Sequence, residues 1–252
     1  MPKHRFFVSP QQLSNGMVRL IGEEARQIRL VLRLQRGAEI SVLDGSGREY
    51  RCVLERVNNG EVLARIASWE EPRDVTEMHI TVIQALAKGD KVEQVIQHGT
   101  EIGVSRFVLV QTERSVVRLD GERARSRVER WQRIAKEAAE QAHCLRVPQV
   151  EGVWSLAYAL QQMGATPLLT LHPDEACSPL VEWMRARPVP AAVAVVVGPE
   201  GGLTEAEVQL CRQYGAECVS LMRRILRTET AALVAVSQLL AMAHWRQEVH
   251  AG

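Results

Sequence analysis

Val195-Val-Val-Gly-Pro-Glu-Gly-Gly-Leu-Thr204, answered further on by Leu221-Met-Arg-Arg-Ile-Leu-Arg-Thr-Glu-Thr-Ala-Ala232, decides how the chain is read. Ala and Val run unbroken over 191–197, which suits a strand buried on both faces of a parallel sheet. Gly198-Pro199 stops it, and Gly201-Gly202 permit backbone conformations and close approaches that a side chain would forbid. Thr204 with Glu207 has the spacing of a capping box, so a helix begins there. In the second stretch Cys218-Val-Ser-Leu221 reads as a short strand and 229–246 as a long, mostly apolar helix, with Thr228 at its N-cap. Between them a loop carries Arg223, Arg224 and Arg227 around Ile225-Leu226, an apolar pair that a solvated loop does not need. Ligands of α/β sheets sit outside the carboxyl ends of the strands, so both loops are candidate binding elements. For the first loop alone, a sharp strand-to-helix turn without a ligand is the alternative.

Working outward, 75–252 alternates strand and helix, the rhythm of a mostly parallel sheet covered by helices. Strands are expected at 79–86, 106–111, 168–171, 191–197 and 217–221, and helices at 90–102 and 121–143. Residues 1–71 read instead as short strands at 5–8, 18–21, 40–43, 51–57 and 62–67, with a hairpin turn at Asp44-Gly45-Ser46-Gly47. One helix, 23–34, interrupts them, apolar at Ile28, Val31, Leu32 and Leu34 and carrying Arg26, Arg29 and Arg33. Glu70-Glu-Pro-Arg-Asp74 is the expected linker.

Composition sets outer limits. No apolar run reaches the roughly eighteen residues of a membrane span, and the amino-terminal residues lack a signal peptide's apolar core, which together predict a cytoplasmic protein without membrane association. The five cysteines are odd in number and form no Cys-x-x-Cys pair, so they are expected to be reduced and structural, with no zinc site. Net charge is only +1, yet residues 1–36 hold seven Lys/Arg against two Glu. Such a basic start suits phosphate contacts, although a solvated face is the alternative. Phosphate-loop, dinucleotide and metalloprotease motifs are absent from the sequence.

Gly198-Pro-Glu-Gly-Gly202 and Arg224-Ile-Leu-Arg-Thr-Glu-Thr-Ala231 together resemble the carboxyl-terminal signature of the SPOUT methyltransferases, specifically the family that methylates N3 of a uridine in 16S ribosomal RNA. Lys88-Gly-Asp90, residues 97–104, Glu113-Arg-Ser-Val116 and Glu137-Ala-Ala-Glu-Gln141 extend the resemblance. Arg26-Gln27, His98-Gly99, Ala142-His143-Cys144 and Met222 depart from the family pattern. The resemblance implies an α/β fold, trefoil-knotted with a mostly parallel sheet, over 75–252, and a PUA-like RNA-binding β-barrel over 1–71. It implies S-adenosyl-L-methionine as cofactor and 16S rRNA or the small ribosomal subunit as partner. Leu171, His172, Gly198, Pro199, Glu200, Gly201, Gly202, Leu221, Ile225, Leu226, Thr230 and Ala231 are the implied cofactor residues, with no metal. Arg5, Arg26, Arg29, Arg33 and Arg114 are the implied RNA contacts. For the chemistry, Arg227 would stabilise a developing oxyanion or grip a phosphate, and Glu229 or Glu200 would accept the N3 proton. The plainer alternatives are a first-turn carboxylate at Glu229, favoured by the helix dipole, with Arg227 as its ion-pair partner. An RNA-binding homologue without catalysis, and a methyltransferase acting on tRNA, stay open as other functions. The last helix, apolar nearly all round, demands burial on more than one side, and with the resemblance this predicts a homodimer through the carboxyl-terminal domain.

Overall fold

The computed structural model describes residues 4–71, 78–173 and 177–251, without the side chains of 247–251. Two compact units divide the chain, residues 1–74 with 139–147, and residues 75–138 with 148–252. Residues 72–74 of the expected linker lie outside the described residues.

In the first unit β1 (Arg5–Phe7), β2 (Leu13–Ser14), β3 (Met17–Ile21), β4 (Glu39–Leu43), β5 (Glu49–Val57) and β6 (Glu61–Glu70) form one sheet in the order β1-β4-β5-β6-β3-β2. Only β1 with β4 is parallel. Alternation along β3 and β6 turns Val18, Leu20, Val62 and Ala64 inward, onto Phe6, Ile40, Val42, Cys52 and Leu54. Bulges between β5 and β6 at Arg51/Cys52 and Leu54/Arg56 help to curl the sheet into a half-barrel. The expected hairpin turn joins β4 to β5: Asp44 Oδ1 accepts from Ser46 N at 3.0 Å, and Gly45 and Gly47 take φ of 81° and 101°. The helix expected over 23–34 is shorter and changes pitch. α1 (Gly22–Arg26) runs into a π-helical turn, Gln27–Val31, closed by Leu32 N donating to Gln27 O at 2.9 Å. That wider turn buries Ala25 and Ile28 but leaves Val31 70% exposed, which corrects the expected apolar stripe.

The second unit runs β7 (His79–Ala85), α2 (Lys91–Glu101), β8 (Arg106–Gln111), α3 (Gly121–Gln141), β9 (Gln149–Ser155), α4 (Leu156–Gln161), β10 (Leu168–Leu171), β11 (Ser178–Pro179), α5 (Leu180–Arg185), β12 (Ala192–Val197), α6 (Glu205–Gln213), β13 (Glu217–Ser220) and α7 (Thr228–Ala251). Its seven strands are all parallel, in the order β11-β13-β10-β12-β7-β8-β9. β12 lies between β10 and β7 with Val193 to Val197 all buried, as an unbroken Ala/Val run requires. α4 and α6 cover the face carrying Ile83, Ala85, Val108, Val110, Ala194 and Val196. α7 packs against β12, β7, α2 and α5. β9, β11, α4 and α5 are not signalled by the periodicity; Ser155, which accepts from Tyr158 N at 3.2 Å, is the one sequence mark of α4.

Two expectations are corrected here. The segment 139–147, the end of α3 and the turn after it, belongs to the first unit, where Ala139, Cys144, Leu145 and Val147 pack with Phe7 and Leu43, and Phe7 N donates to Glu140 Oε1 at 3.1 Å. Cys177 and Cys218 form a disulfide, so the five cysteines are not all reduced. The pair stands at a sequence separation of 41, and only the adjacency of β11 and β13 brings it together. Cys52, Cys144 and Cys211 are in no disulfide, and burial pushes the Cys52 thiol up to about 12.

Candidate active site

β12, β10 and β13 are neighbours, and Thr170 stands opposite both Val196 and Cys218, so the three strands end level. The loops that follow them therefore converge, as ligand-binding loops of parallel sheets do. They enclose a cavity of about 330 Å³. Leu171, His172 and Pro173 line it from the first loop and residues 197–203 from the second. Val219, Leu221, Met222, Arg224, Ile225 and Leu226 come from the third, with Ala231 from α7 and Arg114 from the loop after β8.

The second loop is fixed from four sides. Gly202, at φ 70°, donates its N–H to Pro199 O at 2.9 Å. Arg114 Nη1 donates to Gly201 O at 2.8 Å, and its stem lies so close that a Cβ on Gly201 would stand 3.3 Å from Arg114 Cβ. Thr204 and Glu207 form the expected capping box, with Thr204 N donating to Glu207 Oε2 at 2.9 Å; Glu207 Oε1 accepts from Glu113 N at 2.8 Å. Glu200 Oε1 accepts from Lys88 N at 2.9 Å and Lys91 Nζ at 2.8 Å. Burial acts to raise the Glu200 carboxyl, but the Lys91 hydrogen bond, backbone amides and Lys91 charge outweigh it and hold the group below its ordinary value.

The deepest anchor is Thr228, which does not act as the expected N-cap. Its hydroxyl donates to Gly198 O at 2.6 Å and accepts from Gln84 Nε2 at 2.9 Å, tying β7, the second loop and α7 together. Both Thr228 and Gln84 are buried. A glutamine inside an apolar strand was the available signal, since buried polar groups need partners. The third loop is different. Ile225 is 86% exposed at the cavity, although full burial of such a side chain is worth about 1.5–3 kcal/mol. That stabilisation becomes available when a ligand covers it.

All the expected cofactor residues line the cavity except Thr230, which is exposed on the first turn of α7. Pro173, Val197, Leu203, Val219, Met222 and Arg224 line it without having been named as cofactor residues; Val197, Leu203, Met222 and Arg224 stood within the two quoted stretches, and Pro173 and Val219 carry no signal beyond adjacency. Arg227 is exposed and Glu229 half-buried, and neither lines the cavity. Among the described residues they form no ion pair with each other, and Glu229 Oε2 is buried without a hydrogen-bond partner. Of the arginines expected on RNA, Arg5 is a correction. It is buried in the first unit with Nη2 2.6 Å from Glu49 Oε2, so its charge is spent on a partner whose loss would cost about 3–5 kcal/mol. Arg26 and Arg33 are exposed, Arg29 half-buried, and Arg114 shapes the second loop.

The sequence matches the family profile described as an RNA methyltransferase domain over residues 75–240, and that of an RNA methyltransferase PUA domain over 20–67. It is similar to ribosomal RNA small subunit methyltransferase E of Bacillus subtilis, 37% identical over 93% of this chain and 95% of that one. Among solved structures, a Legionella pneumophila methyltransferase in complex with bound SAM is 31% identical, with a TM-score of 0.86 over 96% of this chain and 98% of that one. Ribosomal RNA small subunit methyltransferase E of Neisseria gonorrhoeae, bound to S-adenosyl methionine, is 32% identical, with a TM-score of 0.84 over 95% and 97%. Similarity of this extent runs through both units and not through the signature loops alone, so the chain belongs to the ribosomal RNA small subunit methyltransferase E family, SPOUT methyltransferases with an amino-terminal PUA-like domain.

Proposed function

We propose that the protein transfers the methyl group of S-adenosyl-L-methionine to N3 of a uridine in 16S ribosomal RNA, as a homodimer in the cytoplasm. The observation that carries this reading is the cavity where three strand ends converge, with pinned glycine backbone on one side and the exposed Ile225 on the other. Its volume lies in the range of small-molecule sites, about 300–1,000 Å³. Leu171, Val197, Leu221, Leu226 and Ala231 supply apolar walls for an adenine, and the backbone of 198–203 and 221–226 supplies its polar contacts. The bound cofactor supplies a methyl group on a sulfonium centre, open to in-line displacement by a nitrogen nucleophile. What the chain contributes is position, worth about 7–11 kcal/mol in such reactions.

Uracil N3 must lose a proton to become that nucleophile. Arg227, exposed beside the third loop, is the group to stabilise the oxyanion or hold the neighbouring phosphate. Glu229 fits the proton acceptor better than Glu200. Glu200 Oε1 is already taken by two donors that depress its basicity, whereas Glu229 Oε2 has no partner. RNA would be gripped by Arg26, Arg29 and Arg33 of the first unit, where Leu30 and Val31 stand exposed beside them. α7 buries Ala232, Ala235, Val236, Leu239, Leu240 and Ala243 but leaves Leu233, Val234 and Met242 half-buried and Trp245 55% exposed, which supports a second copy on that side. No helix among the described residues is long and apolar enough to cross a membrane.

Calorimetric titration with S-adenosyl-L-methionine tests the cofactor. Primer extension on 16S rRNA from a deletion strain tests the target, because a methyl on N3 blocks the Watson–Crick edge and stops the polymerase. The stop should be absent in the deletion strain and return with the gene. A missing modification in tRNA instead would move the substrate, and no cofactor binding would leave an RNA-binding protein only.

A further inference from the structure

One cluster in the second unit carries chemistry that the methyl transfer does not use, although His172 also lines the cavity. The disulfide partners Cys177 and Cys218 lie beside His172, and a ring nitrogen of His172 and both sulfurs are all within 4.8 Å of one another. His172 Nδ1 is buried and has no hydrogen-bond partner. Three contacts hold the group together: His172 N donates to Val219 O at 3.1 Å, Ser178 pairs with Val219, and the Ser220 side chain donates from Oγ to Cys177 O at 3.3 Å. His172 follows β10, Cys177 precedes β11 and Cys218 lies within β13, so the set sits on rigid elements.

We propose that the dithiol form of this cluster is a Cys2His site for a soft divalent cation such as zinc, and that the disulfide is its metal-free, oxidised form. A dithiol, itself oxidised to a disulfide, or a phosphine with water, oxidised to the phosphine oxide, supplies two electrons and two protons, breaking the Sγ–Sγ bond and leaving two thiols. Binding of the cation then releases both thiol protons, so two thiolates and a neutral imidazole balance the +2 charge without placing net charge in a half-buried site. Tetrahedral zinc, with bonds of about 2.3 Å to sulfur and about 2.0–2.1 Å to nitrogen, needs ligand atoms about 3.6–3.8 Å apart. The present spread requires only small side-chain adjustments, and the Cα atoms of the two cysteines, 5.1 Å apart, need not move. Three protein ligands leave a fourth position for water. The absence of a Cys-x-x-Cys pair hid this set, because its members come from three separate strands or their flanks and not from one turn.

Cobalt(II) is the probe. Full-length protein is reduced with a phosphine, freed of reductant under nitrogen and titrated, with thiolate-to-cobalt charge transfer read in the near ultraviolet. One cobalt per chain is expected, displaced by equimolar zinc, and none should bind to protein kept oxidised. Zinc should slow alkylation of Cys177 and Cys218 at least tenfold, read by peptide mass, and leave Cys144 unaffected. Cys218→Ser should abolish the charge-transfer band, and His172→Ala should weaken cobalt binding at least tenfold. Absence of the band in reduced wild-type protein, or equal protection of Cys144, overturns the site. The wild-type redox comparison and the alkylation map stand without any variant, so a substitution that misfolds does not rescue the proposal.

Discussion

Thr228→Val removes one hydroxyl while keeping the shape of the side chain. That hydroxyl donates to Gly198 O at 2.6 Å and accepts from Gln84 Nε2 at 2.9 Å, in a residue only 5% exposed. Valine leaves one carbonyl and one amide hydrogen without partners, at about 1–3 kcal/mol for each buried orphan. Gln84 keeps its other bond, to Ala85 O at 2.9 Å, which places the total in the lower part of the summed range, about 2–4 kcal/mol. At roughly 2–4 °C per kcal/mol for a domain of this size, the melting temperature should fall by about 4–16 °C. Part of the loss falls on the loop itself, because Gly198 lines the cavity and its carbonyl would then be free to turn. Apparent affinity falls with the population of the competent loop, about tenfold for each 1.4 kcal/mol. S-adenosyl-L-methionine affinity should therefore drop tenfold or more, and Thr228→Ser, which keeps the hydroxyl, should recover most of both losses. Thermal unfolding followed by circular dichroism and calorimetric titration of the three proteins decide it. A valine variant melting within about 1 °C of wild type with unchanged affinity would refute the claim that this hydroxyl holds the loop.

Gly202→Val forces a branched side chain to φ 70°, at about 1–2 kcal/mol of backbone strain, and Gly201→Val crowds the Arg114 stem. Both should stay folded by circular dichroism and lose cofactor binding in calorimetry. Hydrogen bonds from Lys91 and the backbone overcome burial to depress the Glu200 carboxyl below 4.5, so its contribution to stability is present above that value and is lost as pH falls through the lower folded one. The stability advantage of wild type over Glu200→Gln, read by denaturant titration, should accordingly be full above the ordinary carboxylate range and shrink as the solution is made more acidic than that. Arg26→Ala, Arg29→Ala and Arg33→Ala combined should weaken RNA binding and flatten its salt dependence while leaving cofactor affinity unchanged, as filter binding and calorimetry would report. This is a cleaner test than deleting the amino-terminal strands, which would strip Phe7 and Leu43 from Ala139 and Leu145. If light scattering at micromolar concentration gives a dimer, mixing that triple variant with Arg227→Ala should restore methylation only if one subunit's RNA contacts serve the other's site.

Periodicity, turn chemistry and capping were legible because each depends on neighbours along the chain. The Ala/Val run gave β12, Thr204-x-x-Glu207 gave the start of α6, and Asp44-Gly45-Ser46-Gly47 gave the hairpin, all within a residue or two of the observed bounds. The quoted motifs also named most of the cavity, since the loops that follow β12 and β13 supply most of its lining. What the sequence alone did not determine depends on contacts between distant segments. Arg5 looked like one more basic residue until β1, β4 and β5 set it against Glu49. Thr228 had the marks of an N-cap, but the crossing of α7 over β7 and β12 turned its hydroxyl to Gly198 and Gln84. The pairing of Cys177 with Cys218 required β11 to lie beside β13, an adjacency that no spacing in the chain encodes. Strand order across a parallel sheet is settled by the packing of helices on its faces, and that packing is a property of the assembled core, which is why these three assignments belong to the tertiary structure.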